Sequence, residues 1–116
     1  MDRSTRKALK QGYKMAFPAM GIFAIRNTAN GRMLIDQSMH LDGSLNRHRT
    51  ELRLGTHRNA ALMDDWRTHG EAAFVFERLH TEQERSEPDF DYAEAIGRRL
   101  AEWRARVPLG SPQSYL

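Results

Sequence analysis

The chain has 116 residues, 40% hydrophobic and 28% charged, with 18 basic and 15 acidic side chains and a formal charge of +3. That is one domain with one core, too apolar for disorder and without the run of ~20 apolar residues that a membrane span needs. There are no cysteines and no apolar secretory stretch in MDRSTRKALKQGYK, so disulfide scaffolds, thiolate metal centres and cysteine nucleophiles are excluded and a cytoplasmic protein is expected.

Leu9, Tyr13 and Phe17 recur every four residues and Pro18 follows, which predicts a helix over 4–17. GIFAIRN and RMLIDQS are branched, apolar runs joined by TANG, with Asn30-Gly31 at the turn; together they predict a β-hairpin turning within 27–31. Leu41, Leu45, His48 and Leu52 lie on one face of a helix over 42–53, and Gly55 stands just past its end. A second helix covers 59–69, with Leu62 and Trp66 stacked and Gly70 as its stop. FVFERL at 74–79 predicts a third strand. Tyr92, Ile96, Leu100, Trp103 and Val107 form the stripe of a last helix over 89–107, which Pro108 ends. The order predicts an α+β domain: a small three-stranded sheet, antiparallel or mixed, flanked by helices.

Charge is segregated along the chain. Residues 47–58 carry four arginines and two histidines against one glutamate, whereas 82–94 carry six acidic side chains and one arginine. His48 shares the leucine stripe, so it points toward the sheet, either as a half-buried histidine bonded to backbone or as a site histidine beside the hairpin. His57 falls in a loop and is off that helical face. The histidines show no metal-ligand spacing such as H-x-x-x-H, so a zinc site is not expected. Asp64 and Asp65 read as a charged helix flank.

The ordered set GIF (21–23), MLID (33–36), LNRHRTELRLGTHRN (45–59) and FVFE (74–77) resembles a GIY-YIG domain, the superfamily of homing endonucleases, an excision-repair nuclease domain and restriction enzymes. The resemblance covers roughly 21–107, leaving 1–20 as an N-terminal helix and linker and 108–116 as a C-terminal tail. It implies the same α+β fold, a DNA partner and, in an active enzyme, a divalent cation such as Mg²⁺ or Mn²⁺. His48 and His57 match the family's histidines. The other slots differ: Phe23 and Leu34 stand where the family has tyrosines, Asp36 where it has glycine, and Ser44 where it has the arginine that clamps the scissile phosphate. Arg47 is one residue from His48 and so lies about 100° away around the helix. The family's metal-binding glutamate falls at Leu100, on the apolar stripe. Glu102, about 200° around from Leu100, and Glu94 are the nearest carboxylates.

Three readings follow. The first is a degenerate domain that binds DNA or another polyanion through Arg47, Arg49, Arg53 and Arg58, with the standard chemistry lost. On ~3–5 phosphate contacts it would show a log K against log salt slope of roughly −3 to −4.5. The second is a nuclease with a variant site, in which His48, His57 and Glu102 or Glu94 surround a cation. The third is a protein-interaction module using the acidic segment and the apolar end VPLGSPQSYL.

Overall fold

The computed structural model describes residues 17–116; the helix expected over 4–17 therefore lies outside the described residues, Phe17 excepted. β1 (Gly21–Asn27) is the centre of a three-stranded antiparallel sheet in the order β2-β1-β3, with β2 at Met33–Ser38 and β3 at Phe74–Thr81. Its central place explains its sequence. A strand covered on both faces has no polar side to show, so GIFAI runs apolar without alternation, and Ile22, Phe23, Ala24 and Ile25 are all buried.

The two faces bury two apolar clusters, one on each side of the sheet, where the chain length alone predicts a single core. Phe23, Ile25 and Leu34 meet α1 (Leu41–Leu54) and α2 (Ala60–His69) through Leu41, Leu52, Leu62, Met63 and Trp66. Ile22, Ala24 and Ile35 meet α3 (Tyr92–Arg106) through Ile96 and Leu100. The sheet thus separates α1 and α2 from α3. The last helix begins at Tyr92, not at 89, because Asp91 caps it. The Asp91 carboxylate accepts from the Glu94 N–H at 3.0 Å, an N-cap that the apolar stripe does not reveal. β3 runs two residues beyond FVFERL, with His80 and Thr81 pairing Ile22 and Gly21.

The hairpin turns within 27–31 as expected. Asn27 N–H donates to Arg32 O at 2.9 Å and Gly31 N–H donates to Asn27 O at 2.7 Å. Asn27 is fully buried, and its side chain satisfies three partners. Its Oδ1 accepts from Ala29 N–H at 2.9 Å, while its amide donates to Tyr115 Oη at 3.1 Å and to Asp65 Oδ2 at 3.4 Å. The Tyr115 hydroxyl donates in turn to Asp65 at 2.6 Å. Asp65 is therefore not the helix-flank charge that its neighbour Asp64 is.

The C-terminal end is docked in part. Met33 N–H donates to Gln113 O and Tyr115 N–H to Met33 O, both at 2.8 Å, and Ser114 and Tyr115 are buried. Leu109 and Leu116 stay exposed.

Burial, with the Asp65 bond second, pushes the Tyr115 phenol up to about 12 from 10.0. The folded state then holds a proton that the unfolded chain releases, so stability is complete below pH 10 and is lost as pH rises through 12. Urea denaturation should show a loss of roughly 2 kcal/mol over that window. Tyr115→Phe, which has no titrating oxygen, should flatten the slope; an unchanged slope would remove Tyr115 as its cause.

Candidate functional site

A cleft of about 590 Å³ opens where β2, α1 and the 55–59 loop meet. Leu34 and Asp36 line it from β2, Arg47, His48 and Glu51 from α1, and His57, Arg58 and Asn59 from the loop. Leu34, on the floor, is almost fully buried. Phe23 is buried beneath His48, ring centroids 5.3 Å apart. A phenyl ring in that position offers packing and no hydrogen bond.

His57 reaches the cleft because α1 ends in a reversal. Gly55 takes the left-handed conformation, with φ of 75°, which glycine adopts without steric penalty. Thr56 N–H then donates to Glu51 O at 2.9 Å. The chain doubles back, and His57 Nε2 comes within 2.7 Å of His48 Nδ1. His57 is off the helical face, as its spacing implies, yet it is the immediate partner of the residue on that face. His48 accordingly bonds to a side chain, not to backbone.

Burial, aided by the neighbouring His57 and Arg47, lowers His48 to about 4 against the pull of Glu51 and Asp36. His57 is lowered as well, by burial and Arg47, with Glu51 opposing. Both imidazoles are neutral at neutral pH.

The arginines of the basic segment divide. Arg47 and Arg58 line the cleft, and among the described residues neither has an acidic partner. Arg49 lies instead over the Phe76 ring, 4.4 Å from its centroid. Arg53 holds Glu71 with two nitrogens, one bond being 2.9 Å. The angular offset of Arg47 from His48 does not keep it from the cleft, since a long side chain crosses the width of one wall. Ser44 bonds Ser38 at 2.5 Å and offers no cation. Arg104 of α3 reaches Asp36 at 3.5 Å.

The carboxylates of α3 do not join this cleft. Glu94 pairs with Arg98 at 3.9 Å, and Glu102 with Arg99 at 3.8 Å beside a different groove formed with Leu79, His80 and Trp103. Their helix packs on the other face of the sheet. A carboxylate that does approach the histidines is Glu51, which the sequence reading did not single out. His48, Glu51 and His57 each offer a ligand atom within 4.8 Å of the others. The trace of this in the sequence is His-x-x-Glu on one helix face, then a glycine stop, then a second histidine. Two imidazoles and one carboxylate suit a transition metal better than Mg²⁺, which takes oxygen ligands.

The antiparallel β2-β1-β3 sheet, with a histidine-bearing helix over one face and a closing helix on the other, is a GIY-YIG-like fold. Among solved structures the chain is similar to the catalytic domain of homing endonuclease I-TevI, with a TM-score of 0.61 at 25% identity, over 83% of this chain and 95% of that one. It is also similar to a mutant of the catalytic domain of intron endonuclease I-TevI, with a TM-score of 0.60 at 22% identity, over 76% of this chain and 82% of that one. No family model matches the chain, and no curated protein does. The domain is thus nuclease-like in fold. Among the described residues, no helix is long and apolar enough to cross a membrane.

Proposed function

We propose that the chain is a DNA-binding domain that holds the phosphodiester backbone in the cleft and lacks the hydrolytic chemistry of its nuclease-like fold. The observation that carries this reading is the pairing of Arg47 and Arg58 in one cleft with two neutral histidines, free of acidic partners among the described residues. Such guanidinium groups are the usual ligands of phosphate oxygens. The loss of hydrolysis is supported by what surrounds them. Phe23 has no hydroxyl, Ser44 is spent on Ser38, and Glu94 and Glu102 face arginines elsewhere. Removing one electrostatic contact from such a site costs ~10²–10³ in rate, and here several are missing together. The lack of cysteine accords with a reducing compartment, the cytoplasm in our reading.

Arg49 and Arg53 are engaged elsewhere, so the number of phosphate contacts is smaller than the basic segment alone implies. Glu51 at the cleft and Asp36, held by Arg104, limit the affinity further. We expect weak, sequence-independent retention of duplex DNA, with a log K against log salt slope of roughly −2 to −3. We also expect no nicking of supercoiled plasmid with Mg²⁺ or Mn²⁺ above a His48→Ala control. Metal-dependent nicking that vanishes in that control would show hydrolysis at a rebuilt site. Salt-independent retention would remove the phosphate reading.

A further inference from the structure

Asn59 donates its backbone N–H to His57 Nδ1 across 3.0 Å. A neutral imidazole has one donor nitrogen and one acceptor. His57 Nδ1 therefore holds the lone pair, and the His57 proton sits on Nε2. That nitrogen lies 2.7 Å from His48 Nδ1, a contact with room for a single proton. His57 supplies it, so His48 Nδ1 is the acceptor and the His48 proton is on Nε2. The reverse arrangement would put a proton on His57 Nδ1, pointing at the Asn59 N–H.

Asn59 is itself held from two directions. Its Oδ1 caps α2 by accepting from Leu62 N–H at 2.9 Å, and its amide donates to Tyr115 O at 2.7 Å. The orientation of the whole chain of bonds is thus set by a helix cap and the docked C-terminal tail. His48 lines the cleft, and its Nε2 has no hydrogen-bond partner among the described residues.

We propose that His57 is a positioning residue that locks His48 in the Nε2–H tautomer, so that His48 presents to the cleft a neutral donor for a non-bridging phosphodiester oxygen and no lone pair with which to take a proton from water. The proposal rests on the DNA-binding reading and sharpens it: the cleft recognises phosphate by two cations and one uncharged donor. A metal ion on His57 Nε2 would need the lone pair there, which moves the proton to Nδ1 and breaks the Asn59 bond.

Long-range proton–nitrogen correlation of the imidazole rings in the full chain at neutral pH tests the lock. Both rings should show the Nε2–H pattern. His57→Leu should release His48 to a mixture of tautomers and weaken binding of a short duplex in proportion to the Nε2–H fraction lost, about twofold for an equal mixture. His57→Gln, whose amide can still donate to His48 Nδ1, should restore the His48 pattern and most of the affinity. Unchanged backbone amide signals at Phe23 and Leu52 confirm that both variants keep the fold. A His48 proton on Nδ1 in the wild-type chain, or an unaltered His48 in His57→Leu, would overturn the lock whatever the DNA does. Stoichiometric Zn²⁺ that erases the Asn59 amide and ring signals would reassign the pair to metal binding and overturn it too. Tautomers as stated, with no duplex retained at low salt, would instead sink the DNA-binding reading and leave the lock standing.

Discussion

Replacing Arg47 and Arg58 together by glutamate should abolish retention of duplex DNA at low salt. Each guanidinium contact to a phosphate is a charge-assisted hydrogen bond worth about 1.5 kcal/mol or more, so losing both lowers affinity by about 100-fold before repulsion is added. The slope of log K against log salt should shrink toward zero, by about 0.9 for each phosphate contact removed. The matched comparison is Arg49→Glu with Arg53→Glu. The same two charges are reversed on the same segment, but Arg49 lies over Phe76 and Arg53 holds Glu71, outside the cleft. That pair should lower stability modestly, since an exposed ion pair contributes little, and should leave much of the retention intact. A third pair, Arg98 and Arg99, sits on α3 behind the sheet and already faces Glu94 and Glu102. Equal losses from all three pairs in fluorescence anisotropy would mean that net charge, not this cleft, holds the DNA.

The contrast among these arginines shows where sequence reasoning stops. A basic run gives the sign of a surface, and helical spacing gives directions around an isolated helix. Neither says which cations are already engaged, because Phe76 and Glu71 are distant in sequence from Arg49 and Arg53. The histidine pair was half legible for a similar reason. His48 follows from the leucine stripe, but the approach of His57 depends on one left-handed residue, Gly55, and on the cap that fixes Asn59. The Asn27–Asp65–Tyr115 knot joins residues up to 88 positions apart, and no local pattern marks it. The elements themselves were readable because their signals are local: an unbroken apolar run for the central strand, Asn30-Gly31 for the hairpin, and glycine or proline at each helix end. The last helix departs from its sequence pattern at its start, where the Asp91 cap decides, and not along its stripe. His48 and His57, the two positions that the resemblance to GIY-YIG domains singles out, do meet in one cleft.

Gly21→Ala should destabilise the domain by about 3 kcal/mol or more, a large effect for adding one methyl group. The register of β1 against β3 slips after its second residue: Ile22 faces His80 and Phe23 faces Arg78, so Leu79 is the extra residue of a bulge. Gly21 makes that close approach possible. Its φ is 156°, and a Cβ placed there would lie 2.0 Å from the His80 carbonyl oxygen and 2.9 Å from the carbonyl carbon. Both are backbone atoms, so no rotamer change relieves the contact. β3 must move, and with it the register that puts Phe23 under His48. Ordinarily, alanine for glycine stabilises by about 0.4–1 kcal/mol through the unfolded chain, so the sign of the change is itself diagnostic. Gly97→Ala supplies the control. Gly97 lies inside α3, where a Cβ would meet nothing nearer than Gln37 Oε1 at 4.0 Å, and it should gain about 0.5–1 kcal/mol from helix propensity. Urea denaturation of the two variants should therefore move in opposite directions. If Gly21→Ala unfolds within about 1 kcal/mol of the wild-type chain, the bulge does not need glycine, and the placement of Phe23 beneath the cleft histidine rests on side-chain packing alone.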